Sequence, residues 1–334
     1  MRLLPILLLA LAPKDEPQAT FKREVQVSRV VVDAHVIDKK GEPIRDLGAA
    51  DFEAFVDGKP AEVESAEWVP AGQSEFTAAG PGAPSLVAPV TAPPGRLIVL
   101  FFQSDFTPSR LVGFLRTAHH SNTLLDTFLP TDRVAVVSFD GHLKLYLDLT
   151  DDRTKLEAAI RKAIRLGTPG DVAVSPFPSL AKHFDFAAAR RAATVEKGLA
   201  LTARALAPIP GAKTMLFFGW GLYVNRRTNE AVDYGEAIEA IREARLSVFS
   251  VDVTDADSTK YGEKQLRLIA NLTGGSYHKT NWFPELALEN VAKQISGRYV
   301  VVVVAPAGKR GTHDLEVRLA SRKGRVLCRT SFDD

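Results

Sequence analysis

A single cysteine, Cys328, among 334 residues removes two kinds of architecture at once. An intrachain disulfide needs a second thiol, and so does every cysteine-based zinc site. Cys328 stands in Arg325-Val-Leu-Cys-Arg-Thr, a strand-like run where a small buried hydrophobe is the expected role. An excess of one charge is lacking too: Lys+Arg 42 against Asp+Glu 40 offers no bulk electrostatic case for nucleic acid or an anionic membrane. The pairs Arg190-Arg191 and Arg226-Arg227 read as solvated helix or loop positions rather than phosphate binders. No apolar run reaches the ~20 residues that a membrane-spanning helix needs.

Catalytic signatures are missing as well. The chain has no HExxH, GxSxG, Walker-type or GxGxxG run. His119 and His120 are adjacent on a predicted helix, so they are expected to point to different faces and not to share a metal. His183 and Asp185 lie beside a predicted helix start, where Asp185 reads as an N-cap. The expectation is a protein without catalytic residues and without a cofactor.

What is present is ordinary globular material, 46% apolar and 25% charged, enough for a sizeable core. Residues 1–19 read as a secretory signal and leader. Met1-Arg2 supplies positive charge, Leu3 to Leu11 an apolar stretch, Ala10-Leu11-Ala12 small residues, and Lys14-Asp15-Glu16 a polar exit. The expected destination is the periplasm or the exterior.

Residues 20–69 read as β structure: Val25, Val27 and Val30 to Val32 are β-branched, and Asp57-Gly58 between alternating runs signals a type I′ hairpin. Residues 70–95 form a Pro/Ala/Gly-rich linker, with Pro81, Pro84, Pro89, Pro93 and Pro94 opposing both helix and ladder. From 96 to 296 short apolar strands alternate with amphipathic helices. Leu97-Ile-Val-Leu-Phe-Phe102, Val134-Ala-Val-Val137, Met215-Leu-Phe-Phe218 and Val248-Phe-Ser-Val251 have the composition of strands covered on both faces. Leu111, Leu115, Ala118, Leu125 and Phe128 share one predicted helix face, and Leu156, Ala159, Ile160, Ala163 and Ile164 another. Ile238 and Ile241 mark a third helix; Leu266, Ile269 and Ala270 mark a fourth, stopped by Gly274-Gly275. Residues 297–334 return to β structure. The expectation is an α/β unit inserted between the halves of a small β-sandwich made from both chain ends; separate placement of the two β segments is the alternative.

Several motifs carry a resemblance. Val31-Val-Asp-Ala-His-Val-Ile-Asp-Lys-Lys-Gly-Glu-Pro43, then Leu47, Asp51-Phe52 and Asp57-Gly58-Lys59, is similar to the amino-terminal signature of the acidobacterial-type VWFA-related domain family. Leu129-Pro-Thr-Asp-Arg-Val-Ala-Val-Val137, Thr150-Asp-Asp-Arg153, Leu206-Ala-Pro-Ile-Pro-Gly-Ala-Lys213, Leu268-Ile-Ala-Asn-Leu-Thr-Gly-Gly275 and Ile295-Ser-Gly-Arg-Tyr299 resemble its later segments in order. The resemblance implies a doubly wound, Rossmann-like von Willebrand factor A-type sheet of order 3-2-1-4-5-6 with one antiparallel strand. Its functional edge would be the carboxyl ends of the strands, where the loops after Phe102 and Phe218 are neighbours.

Domains of this type hold Mg²⁺ or a similar ion through an Asp-x-Ser-x-Ser loop (the MIDAS), a Thr from a second loop and an Asp after the fourth strand. Here the first loop reads Gln103-Ser-Asp-Phe-Thr107, and the fourth strand is followed by Gly219-Trp-Gly221. A neutral amide replaces the leading carboxylate, and no residue was found to match the second-loop Thr, so the resemblance implies a degenerate, metal-free site. Three hypotheses follow. The first is a protein-interaction module using Phe106, Phe177, Trp220, Tyr223, Arg226 and Arg227, since Trp, Tyr and Arg dominate interface hot spots; against it, Phe177 and Trp220 could simply roof the site. The second is a metal-dependent adhesion domain rearranged around Gln103, Asp105 and Thr107, taking Mg²⁺. The third is a hydrolase with an unrecognised site in residues 167–184. Asp140, Asp252 and Asp255 end or follow strands and read as caps of turns.

Overall fold

The computed structural model describes residues 28–73, 95–104, 108–176, 178–222, 233–254, 260–280, 284–306 and 310–333. The expected leader, most of the Pro-rich linker, and Asp105, Phe106, Thr107, Phe177, Tyr223, Arg226, Arg227 and Asp255 lie outside these. No helix among the described residues is long and apolar enough to cross a membrane.

The chain begins with β1 (Ser28–Ile37), β2 (Phe52–Val56) and β3 (Lys59–Pro70). β2 and β3 form the expected hairpin, with Asp57 at φ 49° and Gly58 at φ 73°. The α/β unit then runs β4 (Leu97–Gln103), α1 (Pro108–His119), α2 (Ser121–Leu125), β5 (Arg133–Phe139), β6 (Leu143–Thr150), α3 (Arg153–Ile164), α4 (Phe186–Arg191) and α5 (Val195–Leu206). It continues with β7 (Lys213–Gly219), α6 (Tyr234–Glu243), β8 (Leu246–Asp252), α7 (Lys260–Leu272), β9 (Tyr277–Lys279) and α8 (Pro284–Gln294). The tail is β10 (Gly297–Ala305), β11 (Thr312–Leu319), β12 (Arg325–Cys328) and β13 (Ser331–Asp333).

Among the described residues six strands form a mixed sheet, β6-β5-β4-β7-β8-β9, parallel except for β6 against β5. Renumbered within the unit this is 3-2-1-4-5-6 with one antiparallel strand. Every residue of β4, β7 and β8 is buried because both faces are covered. Leu97, Val99 and Phe101 enter one core cluster, and Ile98, Leu100 and Phe102 the opposite one. All five predicted apolar positions of α3 are buried, and α7 ends before Gly274, which takes φ 82°. The first predicted helix is corrected. It is broken between α1 and α2 at His120; Leu115 is 47% exposed, Phe114 and Leu124 carry packing that was not expected of them, and Leu125 is buried as expected. His120 therefore lies in a turn, and its ring meets His119 edge-on at 5.0 Å rather than facing away.

The flanking β segments also differ from the expected sandwich. They form one antiparallel sheet, β12-β1-β10-β3-β2-β11-β13, with strands from the two ends of the chain interleaved. β12 pairs with β1 and β13 with β11, so residues 325–333 join both edges of that order and Leu315 N donates to Thr330 O at 2.8 Å. The sheet thereby curls on itself instead of stacking as two layers. Tyr299, Val301 and Val303 alternate inward along β10 to fill it, and Cys328 is buried there with its thiol pushed up to about 12 by burial.

Candidate functional site

The chain leaves β4 toward β5 on one side and returns through β7 on the other, which opens a crevice at their carboxyl ends. Gln103, the last residue of β4, is 3% exposed there. Its Nε2 donates to Gly221 O at 2.7 Å, and its Oε1 accepts from Trp220 N at 3.1 Å. The two loops expected to be neighbours are thus joined by one amide that uses both of its ends.

Small residues make that closure possible. A Cβ on Gly219 would stand 2.7 Å from Gln103 Oε1 and 2.8 Å from the Phe217 ring. Gly221 adopts φ 141°, and a Cβ on Gly262 of α7 would meet Trp220 O at 2.1 Å. Helix α1 approaches as closely, since a Cβ on Gly113 would lie 1.8 Å from Val253 O. Ser104 N donates to Phe139 O at 2.9 Å, and Val253 N to Gly219 O at 3.0 Å, tying β5 and β8 into the same edge. Trp220 is half-buried against the helix-side core, and the Arg110 guanidinium lies 3.5 Å from its ring centroid. Its indole N–H and the Ser104 hydroxyl are buried without a hydrogen-bond partner among the described residues.

Among the described residues at this edge the donors fall short of the six or more oxygens, carboxylates included, that a hard dication takes. Gln103 is neutral and engaged at both ends by backbone, and the loop after β7 offers no carboxylate up to Leu222. No group of three or more His, Cys, Asp or Glu side chains among the described residues is arranged to hold a metal. Asp252, at the end of β8, accepts from Thr254 N at 2.9 Å, Thr254 Oγ1 at 2.6 Å and Tyr277 OH at 2.6 Å, so it fixes the turn and the edge strand. Burial and that carboxylate both raise the Tyr277 pKa. Asp140 takes Lys144 Nζ at 2.7 Å.

The segment 167–184 is held by a residue the sequence did not single out. Asp148 of β6, 2% exposed, accepts from Ser175 N, Ser179 Oγ and Leu180 N at 2.7 Å each, Leu149 N at 2.8 Å and Ala181 N at 3.0 Å. A carboxylate so surrounded folds the loop rather than acting on a substrate. Its available signal was a lone Asp inside the apolar strand Leu-Lys-Leu-Tyr-Leu-Asp-Leu. His183 is exposed, and Asp185 caps α4 by accepting from Ala188 N at 2.8 Å. Thr194, also missed, caps α5 and donates to Asp233 Oδ2 at 2.9 Å, linking the starts of α5 and α6.

No protein-family model and no curated protein matches the chain. Among solved structures it is similar to a von Willebrand factor type A protein from Catenulispora acidiphila, at 12% identity and TM-score 0.43, over 94% of this chain and 74% of that one. It is also similar to BatB from Bacteroides thetaiotaomicron, at 16% identity and TM-score 0.39, over 60% and 97%. A third likeness is to the manganese-loaded TRAP protein of Plasmodium vivax, at 10% identity and TM-score 0.38, over 71% and 93%.

Proposed function

We propose that this chain is an exported, von Willebrand factor A-type protein-interaction module, neither an enzyme nor a metal binder. Its partner, another protein, docks on the loops at the carboxyl ends of β4 and β7. The observation that carries the reading is the Gln103 amide. Where the family resemblance places the first metal carboxylate, a neutral side chain closes the crevice through Trp220 N and Gly221 O. With no ion to present, recognition falls to side chains around that closure. Trp220 and Arg110 are on this face, and Phe106, Phe177, Tyr223, Arg226 and Arg227 belong to the adjoining loops by sequence.

Isothermal titration of the purified chain with Mg²⁺ and Mn²⁺, repeated for Asp105→Ala, tests the metal-free part. The expected result is no binding heat in the millimolar range. Saturable heat that disappears in Asp105→Ala would replace this reading with metal-bridged adhesion through Asp105 and Thr107. A photo-crosslinking residue at position 223 tests the docking part in the producing cell. The expected adduct is a discrete protein species that is lost in Trp220→Ala.

A further inference from the structure

The amino-terminal ends of the parallel strands carry a second polar site, at the joint with the curled sheet. Asp33 of β1 accepts from Arg245 Nε at 3.0 Å and Nη2 at 2.9 Å, and from Arg298 Nε at 2.9 Å. Arg242 of α6 reaches across to the last strand, donating Nη1 to Ser331 Oγ at 2.8 Å and pairing with Asp333 at 3.1 Å. Arg329, between β12 and β13, donates Nη2 to Val31 O at 2.8 Å. The guanidiniums of residues 242, 245, 298 and 329 therefore converge on the carboxylates of residues 33 and 333, leaving positive charge in excess within a half-buried joint.

A cleft opens among these groups, lined by Asp33, Arg242, Arg245, Ser247, Thr273 and Arg329. It leaves about 20 Å³ for the centre of a water-sized particle, above the ~10–15 Å³ that a single occupant requires. Two permanent donors at this cleft lack an acceptor. The Nε–H groups of Arg242 and Arg329 are both buried and have no hydrogen-bond partner among the described residues. Burial lowers the Arg329 pKa; Asp33 opposes the shift, and Arg245 and Arg242 add to it.

We propose that this cleft binds a small inorganic anion of the halide class, received by Arg242 Nε and Arg329 Nε and bridging α6 to the curled sheet. Room for one particle of about water's size selects a halide over a tetrahedral oxyanion. The excess of guanidinium charge selects an anion over water. The site lies at the opposite end of the sheet from Gln103 and is independent of the partner-binding reading.

Thermal unfolding of the full chain in sodium chloride, bromide and gluconate at one ionic strength tests it. Chloride and bromide are expected to raise Tm saturably by about 2–4 °C over gluconate. Arg329→Lys, which keeps the charge and loses the Nε–H, should abolish the rise. Arg318→Gln, which removes an exposed pair with Glu53, should retain it. Should Arg329→Lys not fold, a crystal of the unaltered chain grown in bromide gives the direct readout, an anomalous peak within hydrogen-bond reach of both Nε atoms. Equal Tm in the three salts, a rise in phosphate but not in halide, or water density without an anomalous peak would each overturn the proposal.

Discussion

At the amino-terminal ends of its parallel strands the α/β unit meets the curled sheet through Asp33, Arg245 and Arg298. At the carboxyl ends of β4 and β7 it closes through Gln103, Trp220 and Gly221. In each, one largely buried side chain holds two partners. The two junctions differ in charge. A buried ion pair fixes geometry, but losing one partner strands the other in a low-dielectric site. A neutral amide hydrogen-bonded to backbone makes no such demand. The comparison teaches that one end is tied by charge and the other by a neutral amide, and the proposed function places recognition at the neutral end.

The largest effect that could break this contrast is at Asp33. Burial pushes its carboxyl pKa up, but Arg245 and Arg298 outweigh that and hold it at about 2. Asp33→Ala removes the carboxylate that the two guanidiniums share and is expected to cost about 3–5 kcal/mol in urea unfolding. A loss below about 1 kcal/mol would mean the joint is not what holds the two sheets together.

Next, taken ring by ring, is a pH effect at two histidines. His35 of β1 donates from Nδ1 toward Gln294 O at 3.0 Å and Gly297 O at 3.1 Å, and its ring meets Phe249 of β8 edge-on at 5.3 Å. Burial first and Arg298 second outweigh the hydrogen bonds and lower its pKa to about 4. His278, beside Ser276 and Gln294, is lowered by burial to about 4 as well. From pH 6.5 down to 4 the unfolded chain takes up protons at these rings and the folded chain does not. Their stabilisation is therefore full above pH 6.5 and lost as pH falls toward 4, by about 3 kcal/mol per ring. Urea midpoints from pH 7 to 4 should show this slope, with about half of it removed in His35→Gln. An unchanged slope in that variant would place the titration elsewhere.

The two ends were also unequally legible in the sequence. Strands covered on both faces read as unbroken apolar runs, so Leu97-Ile-Val-Leu-Phe-Phe102 and its companions announced the α/β sheet, while the strand order was implied only by the family resemblance. The curled sheet was legible as β structure from its β-branched runs and from the hairpin signal at Asp57-Gly58. Its closure was not, because it rests on residues 325–333 pairing at both edges, a fact of register rather than composition. Leu115 was misplaced because a single helical period was drawn through His120, where the chain turns. That a neutral Gln103 ends β4, where the resemblance places a carboxylate, could be read directly. What the amide does instead could not, since it depends on the glycines at 219, 221 and 262 letting the backbone approach. Asp33 and Asp148 were hidden for a common reason: each is a lone carboxylate in an apolar strand whose partners lie far away in sequence.

The smallest effect sharpens the comparison at the neutral end by making it charged. Gln103→Glu preserves the shape and still accepts from Trp220 N–H, but the ionised carboxylate has no proton for Gly221 O. The expected cost is about 1–3 kcal/mol, the penalty of an acceptor facing an acceptor in a buried site. Once protonated, the introduced carboxyl can donate to that carbonyl, so the deficit relative to the unaltered chain should shrink as pH falls. Mn²⁺ then separates the readings. If the end is a neutral closure, the dication leaves the deficit unchanged. Recovery of stability in millimolar Mn²⁺ would mean that one restored carboxylate suffices for metal entry, and that Gln103 alone keeps the crevice closed to ions.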